Sequence, residues 1–522
     1  MSWKSPLRGL TSKHPPGYAD PVAPPAASTA GAPAPVRVLH AAAELYPWVK
    51  TGGLGDVMAA LPPALGAAGA DIRLVLPGFA EFLDIFELTE IVRLRTPFAA
   101  ERVRIALARV PDGAIAAYLV DHPAFYDRPG TPYQAPDGSD WPDNHRRFAL
   151  LGWAAAALAR GADPAWRPDL LHCHDWHAGL APAYLRAEGA VVPSVFTVHN
   201  IAYQGYFPAA FFTDLALPPN FFATDGVEFY GGLAFLKAGL FYADRLTTVS
   251  PTYAREIQTP AFGWGLDGLL RTRAAELTGI LNGVDPSIWS PENDAFLPVP
   301  FSADDDDLAD KSEAREALAH RFDLDTDNGG DDAGGPLFGA VTRLTPQKGL
   351  DLLLAALPGL VALGGRLVLL GSGDAGLEAG FRAAAQSHPG KVAVEIGYDD
   401  ALSHLIIGGS DSIVVPSRFE PCGLTQLYAL RYGSPPVVRR TGGLADTVID
   451  ANAVTLADGA ATGFAFDDET PEALLSAMQR AIELYGDRAA WRRLMRRGMT
   501  RDFSWTASAR QYQALYRELV PG

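Results

Sequence analysis

Arg343 and Lys348 stand five positions apart in the stretch Arg343-Leu344-Thr345-Pro346-Gln347-Lys348-Gly349. Two cations at that spacing on one loop suit a diphosphate, because a guanidinium offers a rigid fork and an ammonium a mobile point charge. Together they could neutralise a diphosphate leaving group. An arbitrary Arg/Lys pair is more often simply solvated. This pair, however, follows the strand-like run Leu337–Thr342 and is accompanied by two matching glycine loops. Lys50-Thr51-Gly52-Gly53-Leu54-Gly55-Asp56-Val57 nearly recurs as Arg440-Thr441-Gly442-Gly443-Leu444-Ala445-Asp446-Thr447. Each copy joins an apolar run to a helix-like segment, so its backbone N–H groups and the positive end of the helix are expected to face an anion.

Four further groups could carry chemistry. Glu420, after a strand and before Pro421-Cys422-Gly423, could accept hydrogen bonds from sugar hydroxyls. Cys422 invites a nucleophile reading, but no His–acid partnership surrounds it, and a small residue in a tight turn fits better. His172-x-His174-Asp175-x-x-His177 places two imidazoles on one strand face, as metal ligands require. No further Cys or acid pair completes a set, so the reading is a polar strand end lining a ligand cleft, with Asp175 as N-cap of a helix from Trp176. Gly371-Ser372-Gly373-Asp374-Ala375-Gly376, with Glu395 beyond it, spells the dinucleotide fingerprint and supports an NAD-binding oxidoreductase as a rival. That rival leaves the paired loops and Arg343/Lys348 unexplained.

The elements that position these groups alternate short apolar strands with Ala/Leu-rich helices from Val36 onward, the pattern of an α/β fold with largely parallel sheets. Ligands of such sheets gather at the carboxyl ends of the strands. A chain of 522 residues fits two domains of about 200–250 residues each. The expected organisation is an extension over 1–35, a first domain over 36–290, a second over 291–495 and a C-terminal helical segment over 496–522. With 43 basic against 60 acidic residues, the net charge of −17 disfavours nucleic acid and anionic membranes as partners. No apolar run is long enough to cross a membrane. Two cysteines exclude a disulfide framework and favour a reducing, cytoplasmic setting. Residues 1–35, rich in Ala and Pro, read as a disordered bacterial extension, with a plastid transit peptide as the lesser reading. The acidic stretch of about 303–335 reads as a solvated, partly disordered insertion with a short helical piece; its spacing matches no calcium loop.

In order along the chain, Lys50-Thr-Gly-Gly-Leu, His174-Asp-Trp-His177, Thr197-Val-His-Asn200, Leu281-Asn-Gly-Val-Asp285, Arg343 through Lys348, Glu420-Pro-Cys-Gly-Leu and Thr441-Gly-Gly-Leu resemble bacterial glycogen synthases and starch synthases of the ADP-glucose type. Ser250-Pro-Thr-Tyr-Ala-Arg-Glu256 and Asp502-Phe-Ser-Trp505 match too, and the resemblance runs from about Val36 to Leu519. It implies a GT-B fold, two Rossmann-like domains facing each other across a cleft, with the C-terminal helix returning to the first. It implies transfer of glucose from ADP-glucose to the non-reducing end of an α-1,4-glucan such as glycogen, with retention of configuration and with no metal and no cofactor.

Residue by residue, the resemblance makes Arg343 and Lys348 the diphosphate-binding pair and Glu420 the carboxylate that holds glucose hydroxyls. Asp175 and His199 lie near the transferred glucose. Lys50, Gly52, Gly53 and Asp56 form the first-domain element approaching the substrates, and Asn282 is a polar contact. Tyr398 stacks on the base, and Cys422, Gly423, Thr441, Gly442 and Gly443 line the donor site. A retaining glycosidase uses a carboxylate nucleophile; none emerges here, and the family is thought to react on one face, the leaving phosphate helping to deprotonate the acceptor. Trp141 stands where relatives often carry Tyr. An inactive glucan-binding protein is a further alternative, opposed by the presence of Lys50, Arg343, Lys348 and Glu420.

Overall fold

The computed structural model describes residues 34–110, 115–305, 308–325 and 335–520, so nearly all of the expected N-terminal extension lies outside the described residues. The chain divides into two compact units. The first comprises the chain up to Thr248, Ile257–Ile280 and the segment from Ser508; the second comprises Val249–Glu256 and Leu281–Ala507. The boundaries expected at 290 and 495 thus fall at 280 and 507. Packing explains the shift: Val284 N donates to Phe503 O at 2.7 Å, which ties the two displaced segments to each other, while Trp289 stacks on His404 and Tyr428 and Met499 lies in the core of the second unit.

In the first unit seven parallel strands lie in the order Leu277–Gly279, Arg245–Thr248, Ser194–Val198, Leu170–His174, Arg37–Ala41, Asp71–Pro77 and Ala116–Asp121. An antiparallel hairpin of Glu87–Arg95 and Arg102–Arg109 extends the sheet beside Ala116–Asp121. Val38, Leu39, Leu170, Leu171, Val195 and Phe196 are fully buried, as strands covered on both faces demand. The hairpin strand Glu87–Arg95 instead carries an exposed, polar face. The helix Trp505–Leu519 brings Tyr512 and Tyr516 into the interior of this unit, both essentially without solvent exposure.

The second unit holds six parallel strands in the order Val392–Ile396, Arg366–Gly371, Leu337–Val341, Ser412–Val415, Val437–Arg439 and Phe464–Phe466. Counted along the chain within each unit, both sheets start at an interior strand, run outward in one direction, then resume on its other side. This is the Rossmann order, and ligands bind where it reverses. The reversal falls between Arg37–Ala41 and Leu170–His174 in the first unit, and between Leu337–Val341 and Ser412–Val415 in the second.

The acidic stretch requires a correction. Between its undescribed parts, Asp310–Arg321 is a helix whose Ala314 and Leu318 are wholly buried in the core of the second unit. Its Lys311 is buried too, donating to Gly408 O and Ser434 Oγ. Two small apolar residues four apart suffice to seat the helix, although charged residues surround them.

Candidate active site

The strand Leu337–Val341 delivers the chain into a loop and a single 3-10 turn, Pro346–Lys348. Across the topological reversal, the loop after Ser412–Val415 carries Ser417 and Glu420. Lys348 Nζ lies 2.6 Å from Glu420 Oε2, and Ser417 Oγ donates to the same oxygen at 2.8 Å. Glu420 is buried and Lys348 half-buried, at a small pocket also lined by Val341, Thr342, Gly423 and Gln426. Arg343, on the same loop as Lys348, is exposed, and its guanidinium makes no hydrogen bond or ion pair among the described residues. One cation is therefore locked to a carboxylate while the other stays available to an anion.

The glycine loops differ from expectation in one respect. The N–H groups predicted to await an anion already hold protein carboxylates. At the first loop, buried Glu44 accepts from Thr51 N at 2.8 Å, Thr51 Oγ1 at 2.5 Å and Gly52 N at 3.3 Å, and from Tyr133 Oη at 2.6 Å. At the second loop, Glu256 accepts from Thr441 Oγ1 and Gly442 N, both at 3.0 Å, and Gly443 N donates to Glu420 O. Burial raises the Glu256 carboxyl above its ordinary range, and the two loop donors pull it back down. Gly442 has φ +46°, and a Cβ there would sit 1.9 Å from Glu420 O, so the loop that shapes the pocket tolerates only glycine. Gly52 and Gly53 have open space where a Cβ would be. The Gly-x-Gly loop at 371–376 is likewise filled by acids. Asp374 caps the helix Ala375–Ser387 through Leu377 N, and Glu378 accepts from Gly373 N. Two carboxylates at that helix start repel the pyrophosphate that a dinucleotide would place there.

Cys422 and Asn282 meet, the Asn282 N–H reaching the Cys422 sulfur. Burial pushes this thiol up to about 12, which leaves it protonated and a poor nucleophile. Its side chain is buried. Tyr398 is exposed at the end of Val392–Ile396, its hydroxyl donating to Asp400 Oδ1 at 2.9 Å.

In the first unit, Lys50 is exposed and pairs with Asp56 at 2.8 Å, which joins two of the expected contacts. Asp175 is no N-cap. It occupies the left-handed region at φ +55°, and its Oδ1 accepts from His199 N at 2.7 Å and Asn200 N at 3.4 Å. The carboxylate thereby clamps the start of the next strand-end loop, and burial lifts its pKa to about 7. His172 and His174 do not line a cleft: both are wholly buried. His40, His172 and His174 bring a ring nitrogen each within 4.8 Å of one another. All six of their ring nitrogens already lie in protein hydrogen bonds, so no lone pairs converge on a common ion. Half-buried His199 follows in the same line, its Nε2 2.9 Å from His174 Nδ1, and desolvation pushes its imidazole down to about 3.

Reading the sequence passed over Ser417, Glu44, Tyr133, His40 and Tyr516. Glu256 stood inside a matched block without a role. A buried acid within ten residues of a glycine loop is a usable signal for Glu44; nothing local marks Tyr516.

The chain matches the model for the starch synthase catalytic domain over residues 37–272 and that for glycosyl transferases group 1 over residues 323–497. It is 51% identical over 499 residues to a glycogen synthase of Albidiferax ferrireducens, covering 93% of this chain and 100% of that one. Among solved structures it resembles the catalytic domain of starch synthase IV from Arabidopsis thaliana bound to ADP and acarbose (TM-score 0.83, 34% identity, 94% of this chain and 100% of that one). It shares its fold with sucrose-phosphate synthase from Thermosynechococcus elongatus (TM-score 0.57, 20% identity, 93% of this chain and 99% of that one). The fold is thus of the GT-B class, built from two Rossmann-like units. The chain belongs to the glycogen and starch synthase family of glycosyltransferases.

Proposed function

We propose that the protein transfers glucose from ADP-glucose to the 4-hydroxyl at the non-reducing end of an α-1,4-glucan such as glycogen, with retention of configuration. The second unit serves the donor. Arg343, whose guanidinium has no partner among the described residues, and Lys348 take the diphosphate and stabilise the charge that builds as ADP leaves. Glu420, oriented by Ser417, accepts from glucose hydroxyls, and Thr441, Gly442 and Gly443 keep its loop in place. Cys422, Gly423 and Asn282 shape the same pocket, and Tyr398 offers an exposed ring to the base. The first unit serves the transferred sugar and acceptor through Lys50, Gly52, Gly53, Asp56, Asp175 and His199.

In the reaction the bond from the anomeric carbon to the ADP β-phosphate oxygen breaks and the bond to the acceptor oxygen forms. The acceptor proton passes to the released phosphate. No metal is invoked. With no helix among the described residues long and apolar enough to cross a membrane, and with an acidic chain, we place the activity in the cytoplasm.

The observation that carries this reading is Lys348 held against Glu420 at the reversal of the second sheet, with Arg343 exposed on the same loop and unpaired among the described residues. Glucose incorporation into glycogen from ADP-glucose, with UDP-glucose in parallel, tests it. Incorporation by the wild type that collapses in Lys348→Ala is the expected result; none from either donor by the folded protein overturns it.

A further inference from the structure

One line of side-chain hydrogen bonds runs through the interior of the first unit and ends at His199. Thr247 Oγ1 meets Thr197 Oγ1 at 2.5 Å, and Thr197 Oγ1 meets His172 Nε2 at 2.6 Å. His172 Nδ1 meets Tyr516 Oη at 2.7 Å, which in turn lies 3.3 Å from His40 Nε2. His40 Nδ1 meets His174 Nε2 at 3.0 Å, and His174 Nδ1 meets His199 Nε2 at 2.9 Å. Every member before His199 is buried. Desolvation holds the imidazoles neutral, His40 at about 3 and His172 and His174 well below their ordinary value.

A neutral imidazole has one N–H and one bare nitrogen. Each ring in the line that donates on one side must accept on the other; a hydroxyl can accept from both sides, but then its own hydrogen has no acceptor in the line, so two concerted arrangements keep both Thr197 and Tyr516 donating. In one, the hydrogens point from Thr247 towards His199: Thr247 donates to Thr197, Thr197 to His172, His172 to Tyr516, Tyr516 to His40, His40 to His174 and His174 to His199. His199 then carries its proton on Nδ1. In the other, every hydrogen is reversed and His199 presents a bare Nδ1.

The ends of the line distinguish them. Thr247 is fully buried, and its hydroxyl has no partner among the described residues other than Thr197. The reversed arrangement makes Thr197 donate to Thr247 and strands the Thr247 hydroxyl hydrogen in the interior, which is costly. The forward arrangement leaves no buried hydrogen stranded. His199 Nδ1, the only ring nitrogen in the line with no protein partner among the described residues, is at its half-buried end.

We infer that this line fixes His199 as the Nδ1–H tautomer, so that it donates a hydrogen bond to an oxygen of the bound sugar, and that Tyr516 on the C-terminal helix is a positioning residue for it. The sugar as recipient rests on the glucosyltransferase reading; the tautomer does not. Tyr516 is the junction of the line, because it alone links His172 to His40. Removing its hydroxyl releases His40, His174 and His199 from the Thr247 end.

The test is the nitrogen–proton coupling pattern of isotope-labelled histidine in the full chain, which reports tautomers without substrate. His199 is expected as Nδ1–H in the wild type and as a mixture in Tyr516→Phe. Glucosyl transfer by that variant is expected to fall roughly tenfold in kcat, with KM for ADP-glucose within about twofold. Thr247→Val, which removes only the terminal donor, is expected to mix the tautomers as well and serves if Tyr516→Phe fails to fold. A wild-type Nε2–H pattern at His199, or an Nδ1–H pattern unchanged in the folded variants, overturns the inference. Wild-type protein with the expected tautomer and no glucosyl transfer would sink the functional reading alone.

Discussion

The Lys348 ammonium lies 2.6 Å from Glu420 Oε2, so the group proposed to meet the diphosphate is already held by the group proposed to meet the sugar. An ordered ion pair fixes both side chains before a donor arrives and lowers the cost of orienting them. Lys348→Ala removes the cation and leaves a buried carboxylate uncompensated. A kcat loss of about 10²–10³-fold is expected in glucose incorporation from ADP-glucose. Loss of less than about threefold would remove Lys348 from the charge-stabilising role.

Arg343 behaves differently because its guanidinium holds no other group among the described residues. Arg343→Ala is expected to leave the melting temperature within about 1 °C of wild type, as for an exposed, unpaired residue. The same variant should lose about 10²-fold in kcat/KM for ADP-glucose, and Lys should not restore it where a fork is needed. A stability loss as large as the activity loss would show that the guanidinium serves the fold.

Asp175 gives a pH signature. Burial raises its folded-state pKa to about 7, above the value of about 4 expected for an unfolded chain. Its contribution to stability is therefore complete below the unfolded value and is lost as pH rises through about 7. Asp175→Asn keeps an oxygen for the His199 and Asn200 N–H groups and cannot ionise. Its melting temperature relative to wild type should climb by a few degrees between about pH 5 and about pH 8. Parallel melting curves across that range would refute the ionisation.

Glu256 carries the Thr441-Gly442 loop. Glu256→Ala strands a backbone N–H and a buried hydroxyl, at about 1–3 kcal/mol each. Chemical denaturation should show that loss, and Glu256→Gln should recover most of it, since an amide oxygen accepts as well. Equal behaviour of Ala and Gln would mean that the loop is held by other contacts.

Much of the architecture was legible as runs of apolar residues. Leu170–His174, Ser194–Val198 and Ser412–Val415 are strands because such runs are buried on both faces. The helix Trp505–Leu519 follows from apolar residues at helical spacing. The pairing of Lys348 with Glu420 was not legible, since the two are 72 positions apart and meet only because their strands flank the sheet's reversal. The occupied glycine loops were missed for a related reason: composition reveals the donors, but not a distant carboxylate such as Glu256 that folds onto them. Asp175 was misread because acids before helices usually cap them; its left-handed backbone turns the side chain to the next strand instead. The helical piece within the acidic stretch was legible, but its burial was not, because the many charges of Asp310–Arg321 mask the Ala314 and Leu318 positions that seat it.

Tyr516 is synthesised after the whole of the second unit, yet it completes the interior of the unit whose first strand begins at Arg37. Until it arrives, His40 and His172 each lack the hydroxyl that they share in the folded unit. The early half of the chain must therefore wait, unfinished, through synthesis of the whole second unit. A nascent chain that stops short of that tyrosine carries every residue of the second unit and a first unit whose interior line of histidines is broken.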